Sequence, residues 1–202
     1  ETGWEFQLEN QYIMSPKDIC TLRQLPELLQ AGASILKIEG RGRSADYVAK
    51  ITATYRQALD SIINGHIPTT EQYAAWMQDL SSVFNRGFWE GGYYLGEQLD
   101  PWGKSSRNQA TKTKIQLGNI TNYYAKIHVA EFKITAGDAL RKEDEILITG
   151  STTGAIFDTV TELRDTNGNP TQSVQQGETG AFPCQQKVRP GDKLFVLRKS
   201  NC

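Results

Sequence analysis

Cysteine and histidine are scarce in this sequence: Cys20, Cys184 and Cys202 are its only cysteines, and His66 and His128 its only histidines. Three widely spaced cysteines with no CxxC pair cannot make a disulfide framework and suit a reducing compartment. There is no HExxH and no GxSxG, so the signatures of zinc peptidases and serine hydrolases are missing. Long apolar runs are missing too. Stretches such as Ala33–Leu36 and Ile146–Ile148 fall far short of the ~20 residues that cross a bilayer, so no membrane partner is expected. The first residues carry acids where an export signal would carry basic residues and an apolar stretch, which makes a cytoplasmic address the expectation.

What is present is 38% hydrophobic and 22% charged, with a mean hydropathy of −0.50. That is the make-up of a globular chain and excludes disorder and collagen. A length of 202 residues suits one large domain or two small ones. Net charge is −1, but residues 1–99 hold 8 basic and 12 acidic groups while residues 100–202 hold 14 and 11. Between Pro101 and Ala130 lie Lys104, Arg107, Lys112, Lys114 and Lys126 with no acid at all. Such a stretch is either a solvated linker or a modest footprint for a polyanion.

The periodicity changes near residue 100. Before it, Ser15-Pro16 and Asp18 read as a helix start, and a second short helix follows Pro26 and stops at Gly32. Ile35, Leu36 and Ile38 read as a brief buried strand. Ser44 opens the longest helix, with Val48, Ile51, Tyr55, Leu59 and Ile62 in one stripe before Asn64-Gly65. Thr69 or Thr70 caps the next, whose inward face is Tyr73, Trp76, Met77, Leu80, Val83 and Phe84. From Ile115 the period falls to two. Strands are expected near 115–121, 124–132, 145–148, 156–163, 178–183 and 193–197, separated by Gly, Pro, Asn and Asp turns as in a small barrel. Residues 1–97, 98–114 and 115–202 are therefore read as a mostly helical domain, a basic linker and an all-β domain.

One strand with four helices is no complete sheet, whereas a β/α barrel needs eight strands and about 250 residues. The first half reads as the end of something larger. Tyr12 to Cys20 (YIMSPKDIC), Leu25-Pro26-Glu27-Leu28, Leu36 to Arg41 (LKIEGR), Ser44, Tyr47-Val48 and Tyr55 to Ala58 (YRQA) together resemble the collagenase-like peptidase family, peptidase U-thirty-two. The Arg86 to Gly96 stretch is similar to a motif of the same family, although Trp89-Glu90 departs from it. Gly150 to Gly154, Val160 to Arg164, Gly168-Asn169-Pro170 and Val188 to Lys193 are similar to that family's appended C-terminal barrel, except that Arg141 to Asp144 departs from its usual turn. The resemblance implies an α+β chain: the C-terminal remnant of a TIM-like β/α barrel followed by a small barrel of translation-factor type. It also implies a missing N-terminal half.

Some relatives carry a protease label. Others look like oxygen-independent hydroxylases acting on the wobble uridine of tRNA with prephenate as hydroxyl source, on a cytidine of ribosomal RNA, or on a quinone precursor. The resemblance therefore implies tRNA or another structured RNA as partner and prephenate as substrate. It implies an iron–sulfur cluster in the complete protein, with Cys20 as one ligand and none expected in this fragment alone; a buried inert cysteine is the other reading of Cys20. Lys37, Glu39, Arg41 and Arg43 are the candidate catalytic residues at the barrel mouth, where such folds place their chemistry. Lys37 and Glu39 would share one strand face, and Arg41 and Arg43 could grip a carboxylate or phosphate; a structural ion pair of Glu39 with an arginine is the alternative. Lys104, Arg107, Lys112 and Lys114 are the RNA-binding candidates. Three functions stay open: part of an RNA hydroxylase, a nucleic-acid-binding module without chemistry of its own, and a collagenase-like protease.

Overall fold

The computed structural model describes residues 16–89 and 108–200. Two compact units share the chain: one comprises Glu1–Glu39 and Lys50–Thr111, the other Gly40–Ala49 and Lys112–Asn201. The division draws the segment after Glu39 into the β unit, and Lys112 and Lys114 lie in a strand rather than on a linker.

In the first unit, strand β1 (Asp18–Ile19) runs parallel to β2 (Phe88–Trp89). The helix start expected at residues 15–18 is thus overturned. The amides of Asp18 and Cys20 are taken by the carbonyls of Gly87 and Trp89, both at 2.9 Å. The Asp18 carboxylate, expected to sit in a helix's first turn, instead accepts from the backbone amide of Arg86 at 3.0 Å and from its guanidinium at 2.9 and 3.2 Å. A charge-assisted fork from 68 residues away outweighs a local capping preference worth about 1 kcal/mol.

A short 3-10 turn (Leu22–Gln24) leads into α1 (Leu25–Gln30), with Pro26 in its first turn. α2 (Ala45–Ile63) and α3 (Thr70–Ser81) follow. α1 and α2 close alike. Gly32 and Gly65 take φ of +89° and +79°, and the next residues, Ala33 and His66, reach back to the carbonyls of Leu28 and Ser61. This is the left-handed closure that glycine permits without a Cβ penalty. Thr69 caps α3 in a reciprocal box with Gln72. The buried side of α2 runs through Ile51, as expected, and then through Thr54 and Ala58, each one position before the expected Tyr55 and Leu59, and it leaves Val48 40% exposed. Buried Thr54 spends its hydroxyl on the Lys50 carbonyl at 2.9 Å, so no polar cost remains. α3 buries Trp76 and Leu80, and Val83 just beyond it, as its period requires.

The expected strand at Ile35–Ile38 does not form. Residues 33–40 run irregularly with no ladder partner among the described residues, and Ile35 is 86% exposed. A strand without a neighbour leaves its backbone groups unpaired, so apolar sequence alone does not make one.

The second unit is built on a six-stranded sheet in the order β7 (Gly154–Thr159), β6 (Glu145–Gly150), β10 (Lys193–Lys199), β3 (Lys112–Tyr124), β4 (Val129–Ile134), β9 (Thr179–Pro183). All neighbours are antiparallel. The edge strands are bridged: Arg164, beyond β7, exchanges both backbone hydrogen bonds with Ala181 of β9, at 2.9 and 3.0 Å. The sheet is therefore nearly closed on itself, which removes most of its exposed edge. Two further strands, β5 (Leu140–Arg141) and β8 (Ser173–Val174), pair with each other and were not foreseen from the sequence. β3 is one 13-residue strand where a break near Asn122 was expected. Alternate residues of these strands fill one core, centred on Phe132 and Phe182 with ring centroids 5.4 Å apart.

Candidate functional site

The loop Gly40-Arg41-Gly42-Arg43 is a tight turn. The Arg43 amide donates to the Gly40 carbonyl at 2.9 Å, and Gly42 holds φ +78°, a conformation that an L-residue adopts only at a cost. The guanidinium of Arg43 lies 5.6 Å from the ring centroid of Tyr47, a cation–π distance. Arg41 is exposed. Directly after this turn, Asp46 in the first turn of α2 accepts a hydrogen bond from Lys114 at 2.7 Å, and Lys112 pairs with Glu145. Lys114 also stands 5.8 Å above the Phe195 ring. Register places Lys199 opposite Lys112. The structure thus gathers Arg41, Arg43, Lys112 and Lys114 into one unit. It also supplies acidic partners to both lysines, which linear charge counting could not see.

Lys37 and Glu39 lie in the other unit, exposed on the irregular stretch, so the strand face they were expected to share is absent. Lys104 and Arg107 lie outside the described residues. Cys20 is 3% exposed. It follows β1 instead of lying in the first turns of the helix expected from residue 15. Its sulfur accepts from the Tyr55 hydroxyl at 3.7 Å and lies 3.9 Å from the Met77 sulfur. The Tyr55 oxygen in turn accepts from the Thr21 amide at 3.1 Å. Burial, and then the adjacent Cys20 sulfur, push the Tyr55 hydroxyl above the usual phenol range, so it stays a donor. The contact of Cys20 with Tyr55 and Met77 is what sequence reasoning missed: Tyr55 was read in an apolar stripe and in the YRQA string, Met77 on an inward helix face, and a spacing of 35 positions carries no motif.

Among the described residues no group of three or more His, Cys, Asp or Glu side chains could hold a metal ion, and one thiol does not meet an iron–sulfur cluster that takes four. The described residues do not fit that group. Cys184 is buried in the β unit, where its thiol donates to the Gln186 carbonyl at 3.2 Å and burial pushes its pKa up. His66 is exposed beyond α2, while the Nδ1 of His128 lies 3.1 Å from the Tyr123 hydroxyl. Neither imidazole is bonded to a serine or cysteine side chain among the described residues. No described helix is long and apolar enough to cross a membrane.

The sequence profile of peptidase family U32 matches residues 1–104. The chain belongs to this family. A Porphyromonas gingivalis protein named collagenase is 40% identical over 199 residues, covering 98% of this chain and 47% of that protein. A Bacillus subtilis tRNA hydroxylation protein is 25% identical over 192 residues, covering 91% of this chain and 43% of its own length. The chain therefore spans about half the length of the curated relatives it matches. The solved C-terminal domain of a Geobacillus thermoleovorans protein described as a U32 peptidase is similar to 40% of this chain and 96% of its own, at 15% identity and a TM-score of 0.37.

Proposed function

We propose that this U32 chain is the C-terminal part of an enzyme that hydroxylates the wobble uridine of tRNA without oxygen, with prephenate as hydroxyl source. In this reading the first unit ends a larger β/α catalytic domain and the β unit holds RNA. The observation that carries it is the joining of the Arg41/Arg43 turn to the β unit, beside the Lys114–Asp46 pair. Two guanidiniums on one turn suit phosphate or carboxylate, which both tRNA and prephenate present; a peptide backbone offers them no charge. The similarity to a tRNA hydroxylation protein across 91% of the chain supports the same reading. Lys37 and Glu39 are assigned to the substrate side, and Lys104, Arg107, Lys112 and Lys114 to RNA positioning.

The second reading, a collagenase-like protease, rests on the 40% identity to the Porphyromonas protein. One experiment separates them. The complete gene is expressed in a bacterial host deleted for its own tRNA hydroxylation proteins, and tRNA nucleosides are analysed by mass spectrometry. Restored hydroxyuridine derivatives that fall at least tenfold in the Arg41→Ala variant support the first reading. Absent hydroxylation together with gelatin cleavage by the purified protein would replace it with the second.

A further inference from the structure

The hairpin between β3 and β4 ends in five consecutive exposed residues, Tyr124, Ala125, Lys126, Ile127 and His128, if the strand end is included. Tyr124 is 43% and Ile127 67% exposed, an unusual outlay of apolar surface at a turn that could carry polar residues. The turn is nonetheless held firmly. The Ile127 amide donates to the Tyr124 carbonyl at 3.2 Å, and His128 adopts φ +52°. The Cys184 amide donates to the His128 carbonyl at 2.7 Å, while the Tyr123 hydroxyl donates to the Cys184 carbonyl at 3.1 Å. These bonds tie the turn to the chain leaving β9, where Gln185, Gln186 and Lys187 are exposed.

Charge here differs from that at the start of β3. Lys112 and Lys114 already face Glu145 and Asp46, so a phosphate would have to displace a carboxylate to reach them. Lys126 and Lys187 have no carboxylate partner among the described residues. The nearby Glu131 carboxylate is occupied by the hydroxyls of Thr121 and Tyr124, both at 2.8 Å, which also orients the Tyr124 ring. Asp158, whose side chain accepts from the Thr159 amide at 2.8 Å, is the other acid of this region.

From this combination we infer that the β3–β4 tip is a contact for single-stranded RNA, with Tyr124 and Ile127 packing against a base and Lys126 and Lys187 meeting adjoining phosphates. The inference rests on the RNA reading above and assigns its contact to the far end of β3 from Lys112 and Lys114. An oriented aromatic beside unpaired ammonium groups is what base stacking and counterion release require. Two apolar side chains with Lys126 between them in sequence make a small footprint for a protein or lipid partner.

The test uses the whole chain and a fluorescein-labelled twelve-nucleotide oligouridylate, read by anisotropy at several salt concentrations. Tyr124→Ala should weaken binding about tenfold, within the range for loss of one stacked base. The Lys126→Ala/Lys187→Ala double variant should lower the salt slope by about 1.4, or 0.7 for each single-strand phosphate contact. Lys142→Ala, an exposed lysine between β5 and β6, should stay within about twofold. Native-like hydrogen exchange in β3 and β4 is required of each variant. Oligouridylate affinity unchanged in Tyr124→Ala and Ile127→Ala would overturn the inference, as would binding of the tip to phosphatidylglycerol vesicles in preference to the oligonucleotide. Absent tRNA hydroxylation with tip-dependent RNA binding intact would instead overturn the proposed function alone.

Discussion

Gly118→Ala is expected to damage the β unit out of proportion to one methyl group. Gly118 lies in β3 opposite Ile134 of β4 and Leu194 of β10, where the β3–β10 register slips between Leu194 and Phe195. Glycine in a strand interior marks such bends, where another backbone comes close. A Cβ built on Gly118 would stand 1.9 Å from the Lys133 carbonyl oxygen, against 3.4 Å for the onset of ordinary contact. About 1.5 Å must therefore be found by moving backbone, because the obstacle is not a side chain that can rotate away. Overpacking that shifts backbone costs typically 1–3 kcal/mol, and this site belongs at or above the top of that range, about 3 kcal/mol. Gly168→Ala is the control: its φ is +82° and nothing lies within 4 Å of the added Cβ, so only the left-handed penalty of about 1–2 kcal/mol applies. Hydrogen exchange of β3 and β4 amides, followed through urea, reads this unit separately from the other, which a single melting temperature would not do. Equal destabilisation by the two substitutions would refute the reasoning, since it would mean that the Lys133 carbonyl yields freely.

Thr69→Ala removes one side of the α3 capping box and should cost about 1 kcal/mol, seen as faster exchange of the Gln72 amide; an unchanged rate would show that the cap does not hold the helix end. Asp18→Asn keeps the shape but weakens the fork to Arg86 and should destabilise the first unit by about 2 kcal/mol, the range for hydrogen bonds to charged groups. Asp138 is held down to about 2, first by its hydrogen bonds from Arg141 and then by the Ala139 amide. Its stabilising contribution is therefore fully present above the ordinary carboxylate value of 3.8 and is lost as pH falls through about 2. The stability gap between the native chain and Asp138→Asn should close over that window, and it should be small and salt-sensitive, since Asp138 is 46% exposed. A gap that persists well below pH 2 would assign its origin elsewhere. Cys20 and Cys184 are buried, so peptide mapping after brief exposure to iodoacetamide should find both unmodified until denaturant is added. Rapid native labelling of Cys20 would contradict its packing against Tyr55 and Met77.

Elements whose cause lies within a few residues were legible in the sequence. The glycine closures at Gly32 and Gly65, the Thr69 cap and the change to a two-residue period beyond Ile115 each depend on local stereochemistry that a short window contains. The family was legible as well, because LKIEGR and its companion motifs are strings. The candidate site was legible as residue types on a loop, Arg41 to Arg43, but not as an environment. Whether Asp18 opens a helix or anchors a strand was decided by Arg86, 68 residues away. Whether Lys112 and Lys114 are open to a polyanion was decided by Glu145 and Asp46, which meet them only after folding. Cys20 likewise acquires its character from Tyr55, brought to its sulfur across 35 positions. Hydrogen bonds and charge pairs act through distance in space, so their partners are set by tertiary structure, while a turn or a cap carries its determinants along the chain.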